Sequence, residues 1–308
     1  MTTALYHVKI LLRVSANKGQ RDDLNEKNVW KKVLAGALAA SALLAFAGCG
    51  SQNDANTASD TAANTNTSQT DESDYDYIMS KGEMVIGYTL FAPMNYKEGD
   101  ELVGFETEFA QAVCEKLGVT PKFQEINWDS KEIELSSKTI DCIWNGMTIT
   151  DDRLENMSIS IPYMDNRQVM VVRQDDVDKY TESADGAKVV AEAGSTGETL
   201  AKSDEFFANA SYTPVDSQAK GLMDVKSGVS DIALGDYVMA IGSVGEGTDY
   251  ADLALIDKGF ASQYYGVAFR KGSDMTEKVN TAMQELAADG TLKTIADKYN
   301  LAELLLLK

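Results

Sequence analysis

Asn145-Gly146-Met147-Thr148-Ile149-Thr150-Asp151-Asp152-Arg153 forms the centre of a segment spanning residues 128–163, and the reading of the whole chain turns on it. An apolar, strand-like run at 140–144 leads into a glycine, then two threonines at alternate positions, then acids of the kind that open a helix, then an arginine. The pattern outlines an anion site. Backbone N–H groups at the Thr150 turn, the Thr148 and Thr150 hydroxyls and the Arg153 guanidinium can converge on one place, and a planar carboxylate matches an arginine fork. The same nine residues also describe a surface arginine after an ordinary strand-to-helix turn. The surrounding chain has to decide between the two.

Outward from that centre the chain alternates strands and helices. Residues 84–88 read as a short buried strand, followed by a loop, Phe91-Ala92-Pro93-Met94, that carries an aromatic. Gly104-Phe105-Glu106 opens a helix whose apolar positions Phe109, Ala110, Val113, Cys114 and Leu117 recur at helical spacing, and Gly118 ends it. A strand at 122–126, a helix at 130–137 and a strand at 141–144 follow. A second series begins after the central segment. It has strands at 169–173, 188–191, 211–215 and 231–234, a Gly194-Ser195-Thr196-Gly197 turn, and helices between them, with Gly235-Asp236 opening another helix. The chain then shows one more strand at 263–269 and ends in helices at 276–288 and 292–299, followed by a packed tail at 301–305. Such alternation predicts largely parallel sheets covered on both faces.

The ends of the chain and its composition bound the function. The net charge of -20 over 308 residues understates the acidity of the body, because the part after Cys49 holds 21 Lys+Arg against 45 Asp+Glu. That field repels nucleic acid and anionic lipid, so an anionic ligand has to be met by local donors such as Arg153. His7 is the only histidine and lies in a segment expected to be removed. The remaining chain therefore has no Ser-His-Asp triad, no Cys-His dyad and no His-ligated zinc, and no metal or other cofactor is expected. Cys114 and Cys142 read as buried thiols, with a disulfide open to them in an oxidising compartment.

Lys31-Lys32, fifteen uncharged residues at 33–47 and then Gly48-Cys49 make an export signal, too short for a transmembrane helix, which needs about 20 apolar residues. Phe46-Ala47-Gly48-Cys49 resembles a bacterial lipobox, with Phe46 where leucine is usual; the resemblance implies cleavage before Cys49 and a lipid on its thiol. Residues 1–28 match no part of such a signal, and the expected translation start lies at Leu24 or Val29, making the first residues a misassigned extension of a 1–48 signal peptide. From Gly50 to about Asp74 no large apolar residue occurs, which predicts a flexible tether (49–75 with its lipidated cysteine) reaching roughly 25–30 Å.

With these residues in order, the chain from about Tyr77 to Tyr299 resembles the extracellular solute-binding proteins of ABC transporters, specifically the polar amino-acid family (family 3). The resemblance is carried by an ordered set: Gly104-Phe105-Glu106, where the family usually has aspartate third; Trp128; the run from Gly146 to Arg153; Ser158-Ile159-Ser160-Ile161-Pro162-Tyr163; Gly194-Ser195-Thr196-Gly197; 231–236; and Tyr264-Tyr265-Gly266-Val267-Ala268-Phe269. It implies a two-lobe periplasmic-binding-protein fold (type II), two α/β lobes joined by two crossover strands. Lobe one would comprise residues 76–167 plus 263–308 and lobe two residues 168–262, with crossovers near 168–171 and 262–265.

The resemblance also implies roles for particular residues. Arg153 would take a ligand's α-carboxylate, with donors from Thr148, Thr150 and, on the opposite lobe, Thr196. Asp236 would take the α-ammonium, helped by the Gly146 carbonyl, while Phe91 and Trp128 line the side-chain pocket. Tyr88 stands where some relatives place an acid for amide or cationic side chains, which leaves glutamine, glutamate, cystine or another polar or amphipathic amino acid open. The bare residues allow other roles: Asp236 as the cap of the next helix, Thr196 as a turn residue, Trp144 as core, and Glu106 as an acid complementing a helix dipole. The implied function is binding of an amino acid by a lipid-anchored, monomeric, non-enzymatic protein on the outer face of the cell membrane, and its delivery to an ABC permease and ATPase. Two alternatives go with the fold: a cyclohexadienyl dehydratase-like enzyme and a sensory ligand-binding module.

Overall fold

The structure is a computed structural model, and it describes residues 73–308. The expected signal, Cys49 and nearly all of the expected tether lie outside the described residues. Helix α1 (Asp74–Lys81) begins on an Ser73 cap, inside the end of the stretch expected to be tether.

The first lobe is built on a five-stranded sheet, ordered β4 (Thr120–Glu125), β1 (Glu83–Tyr88), β5 (Cys142–Ile143), β13 (Ala268–Arg270) and β6 (Met157–Ile159). A short hairpin, β2 (Tyr96–Glu98) and β3 (Glu101–Val103), leads into helix α2 (Phe105–Leu117). Gly104 has to be glycine there: its φ is 128°, and a Cβ would fall 2.2 Å from the Met94 carbonyl oxygen. Buried faces of α2 and the sheet share an aromatic cluster. The ring of Phe109 meets Trp144 at 5.3 Å and Tyr163 at 5.6 Å, each such burial contributing about 1.5–3 kcal/mol. Trp144 is therefore core. Helices α3 (Lys131–Ser136) and α4 (Asp151–Asn156) flank the sheet, while α9 (Met275–Ala288) and α10 (Thr291–Lys298) pack beside α2.

The second lobe carries β11 (Leu253–Ile256), β7 (Met164–Arg173), β10 (Ile232–Asp236), β8 (Lys188–Glu192) and β9 (Ser211–Val215), in that order. Its helices are α5 (Val177–Glu182), α6 (Thr196–Ser203), α7 (Gln218–Lys226) and α8 (Tyr237–Ser243). Two α/β lobes thus share one chain through two strands.

Those two strands make the sheets mixed where alternation predicts largely parallel ones. β4, β1 and β5 run parallel, but β13 returns antiparallel to β5 and β6; likewise β8 is parallel to β9 and β10, while β7 is antiparallel to β10 and β11. A strand that carries the chain from one lobe to the other enters its new sheet from the opposite end. β7 is long enough to do two jobs. Residues 164–167 pair with β12 (Ser262–Tyr265), and residues 168–173 pair inside the second sheet. The first crossover accordingly sits four residues before the expected 168–171, since an apolar run marks the buried part of a strand and not the hinge. The single strand expected at 263–269 is two strands in different sheets. They part at Gly266, where a Cβ would lie 2.6 Å from the Ile159 side chain.

Candidate functional site

Between the lobes lies a small, nearly closed cavity. Lobe one supplies Phe91, Trp128, Asn145, Gly146, Thr148 and Arg153, and the opposite wall is Glu192, Ser195, Thr196, Gln218 and Asp236.

The lobe-one wall is made of backbone held from behind. Gly146 adopts φ 57°, and the ring of Phe91 lies where its Cβ would be, 2.7 Å away. Its N–H donates to both carboxylate oxygens of Glu106, at 2.8 and 3.0 Å. Glu106 is fully buried and also accepts from Asn95 Nδ2 at 2.8 Å and from the Tyr163 hydroxyl. Its role is structural, but it is not the helix-dipole acid that its place at a helix start suggests: it points inward and fixes the strand end that shapes the cleft. Burial pushes its pKa up to about 7, against the hydrogen bonds from Tyr163, Gly146 and Asn95.

Thr150 caps α4, accepting from the Arg153 N–H at 3.3 Å, and so orients the turn from which the arginine projects. Arg153 is 7% exposed. One guanidinium nitrogen donates to the Thr148 carbonyl at 2.9 Å and the other crosses the cleft to the Gly194 carbonyl at 3.2 Å. The Trp128 ring lies 6.0 Å from its centre. Carbonyls orient a guanidinium without cancelling its charge, and burial lowers the Arg153 pKa while Asp236 raises it. Arginine stays charged regardless.

Lys131 stands behind it, 4% exposed, donating to the Trp128 carbonyl and across the cleft to the Gly194 carbonyl, each at 3.1 Å. Burial and then the charge of Arg153 bring its pKa down to about 8.

The lobe-two wall is made of side chains. Asp236 ends β10 and precedes α8, yet its carboxylate does not cap that helix. It accepts instead from Asn166 Nδ2 (2.5 Å) and Gln168 Nε2 (2.8 Å), both on β7, and from Gln218 Nε2 (2.5 Å) at the start of α7. Burial raises its pKa, and the Gln218 and Asn166 amides oppose the rise. Gln168 also donates to the Thr196 hydroxyl (3.0 Å) and to Gln263 on β12 (3.1 Å), tying the acid to the crossover pair.

The cavity therefore brings together seven of the nine expected site residues: Phe91, Trp128, Gly146, Thr148, Arg153, Thr196 and Asp236. Tyr88 is not among them, being buried edge-on against Phe123 at 6.2 Å. Thr150 lines a neighbouring depression with Lys131 and Ser195. Sequence reading missed Asn145, Glu192, Ser195 and Gln218. Asn145 and Ser195 lay inside stretches already singled out; the other two carry no local signal that separates them from surface polar residues. Cys114 and Cys142 are both free and buried. Among the described residues no cluster of ligating side chains could hold a metal, and no helix is long and apolar enough to cross a membrane.

The cavity thus sets the buried guanidinium of Arg153 on one wall against the buried carboxyl group of Asp236 on the other. Residues 84–302 match the family model of bacterial extracellular solute-binding proteins, family 3. The chain belongs to this family. Among relatives of this solute-binding protein, the L-cystine-binding protein TcyJ of Escherichia coli (strain K12) is 30% identical over 234 residues, covering 74% of this chain and 86% of TcyJ. The arginine-binding extracellular protein ArtP of Bacillus subtilis (strain 168) is 27% identical over 222 residues, or 71% and 86% of the two chains. An ABC uptake transporter substrate-binding protein from Streptococcus pneumoniae, solved with bound histidine, superposes with TM-score 0.67 at 30% identity, covering 74% of this chain and 96% of that one. These relatives are binding proteins, and the chain is an exported solute-binding protein and not an enzyme.

Proposed function

We propose that the protein binds a polar L-amino acid between its lobes and delivers it to an ABC importer permease. One observation carries this reading. Arg153 and Asp236 are oppositely charged, buried on facing walls of a single cavity, and bonded respectively to carbonyls and amides that leave their charges available. An α-carboxylate on Arg153 and an α-ammonium on Asp236 would cancel both charges at once, with Thr148, Gly146 and Thr196 adding polar contacts and Phe91 and Trp128 flanking the side chain. Contacts to both walls exist only when the lobes are together, so the ligand stabilises closure by its differential affinity. Relatives that bind cystine, arginine and histidine support the class of ligand. The lobe limits 76–167 plus 263–308 and 168–262 belong to the same proposal, as do the 1–48 signal, lipid on Cys49, the 49–75 tether and a monomeric state. Delivery separates transport from sensing, and reconstitution with the permease reads it.

Trp128 lines the cavity, so its fluorescence reports occupancy. Titration with the twenty amino acids and cystine is expected to give a saturable change with at least one of them. Absence of any response, with no heat on calorimetric titration, would overturn the proposal.

A further inference from the structure

Glu192 is the last residue of β8, in register with Val215 of β9, and it is one of the residues lining the lobe-two wall of the cavity. The residue is 5% exposed, and its Oε1 is buried with no hydrogen-bond partner. The contrast with Asp236 on the same wall is sharp, since three amides hold that carboxylate. A buried carboxylate oxygen without a donor is costly to keep, and native proteins retain such groups chiefly where something else supplies the donor. Here the missing donor has a direction to come from, because the cavity is on one side.

The protein's own cations do not supply it. Arg153 is committed to the Thr148 and Gly194 carbonyls, and Lys131 to the Trp128 and Gly194 carbonyls. Burial, then the charge of Asp236, push the Glu192 pKa up to about 8, with Lys131 pulling the other way, so the unliganded group is largely protonated near neutral pH and ionises when a cationic or strong N–H donor is brought to it, while the charge of Asp236 disfavours a further anion. On the amino-acid reading above, the α-carboxylate and α-ammonium are already taken by Arg153 and Asp236, and Glu192 is left facing the remainder of the ligand.

We infer that Glu192 determines specificity by accepting from a second nitrogen donor carried on the ligand, so that the preferred substrates are amino acids whose side chains bear an amide, ammonium, guanidinium or second α-ammonium group, and acidic amino acids are rejected. The inference rests on the amino-acid reading. It places the selecting carboxylate at the end of a lobe-two strand, while the end of the first strand of lobe one is occupied by Tyr88, which does not line the cavity.

Calorimetric titration of the full chain with arginine, ornithine, glutamine, cystine, glutamate and norvaline tests it. At least one nitrogen-bearing ligand is expected to bind about tenfold or more tighter than both glutamate and norvaline, and its identity distinguishes amide from cation from second zwitterion. Glu192→Gln, which keeps the shape, should weaken that ligand about ten- to hundredfold and change norvaline by less than about threefold. Norvaline binding also shows that the variant is folded. Preference of the wild type for glutamate, or equal loss of both ligands in the variant, would overturn the role of Glu192 while leaving amino-acid binding intact. Failure of every amino acid to bind the wild type would overturn the underlying reading itself.

Discussion

The two walls of the cleft solve the same problem, holding a buried charge ready for a partner, by different means. Lobe one uses backbone: Arg153 is oriented by the Thr148 carbonyl of its own lobe, and the strand end beside it is pinned by Glu106 through the Gly146 N–H. Lobe two uses side chains: Asp236 is oriented by amides from Asn166, Gln168 and Gln218, which reach it from β7 and α7. The backbone solution is local in sequence, while the side-chain solution is assembled from distant segments. The difference teaches that one wall can be rigid on its own, whereas the other is set by the crossover, since Gln168 also bonds Gln263 on β12.

The comparison is most severely tested at Arg153. Arg153→Ala removes the guanidinium from the lobe-one wall of the cavity and should weaken ligand binding by about 2–5 kcal/mol, read by calorimetry. Unchanged affinity would mean that the carbonyl-held arginine is a structural tie and nothing more.

Glu106 tests whether the backbone wall carries a hidden electrostatic cost. Its pKa rises from an ordinary 4.5 to about 7 on burial, so the folded state binds its proton more tightly than the unfolded state does. Its contribution is therefore fully present below about pH 4.5, falls as pH climbs, and levels off above about 7. Relative to wild type, Glu106→Gln should gain up to about 3 kcal/mol of unfolding free energy between pH 4.5 and 8. Denaturation curves with parallel pH profiles for the two proteins would remove Glu106 from the account.

Closure has its own test, away from either charge. Gly242 on α8 faces Pro93 of lobe one, and a Cβ there would lie 2.9 Å from the proline Cδ. Gly242→Ala suits a helix locally, yet it should penalise the closed state by about 1–3 kcal/mol and weaken ligand binding accordingly, without altering either wall. Small-angle scattering should show a more open ligand-free form; wild-type affinity and scattering would argue that this contact is slack. The smallest effect is expected at Thr150→Ala, where loss of the α4 cap costs about 1 kcal/mol of stability in a denaturant titration and leaves affinity within about threefold.

Much of this was legible in the chain. The order of strands and helices, the glycines at 104 and 118, and the continuous run from Gly146 to Arg153 are local signals, and the structure places their elements within a few residues of the readings. What escaped is non-local. Asn166, Gln168 and Gln218 look like ordinary polar residues until β7, β10 and α7 come together around Asp236, and Glu192 looks like a solvated acid until β8 ends inside the cleft. Tyr88 misled because a strand end near the site need not point into it, and here its ring turns to Phe123. The hinge was misplaced for a related reason: pairing partners, which no local pattern records, decide where β7 leaves one sheet and joins the next.

The central claim is that one ligand answers Arg153 and Asp236 together across the cleft. Calorimetric titration with the tightest-binding amino acid, its methyl ester and its N-acetyl derivative addresses that claim most directly. The free amino acid should bind with a negative heat-capacity change, and blocking either α-group should abolish measurable binding, because each derivative leaves one buried charge unanswered. Binding of the ester or the N-acetyl derivative at the affinity of the free amino acid would contradict the account.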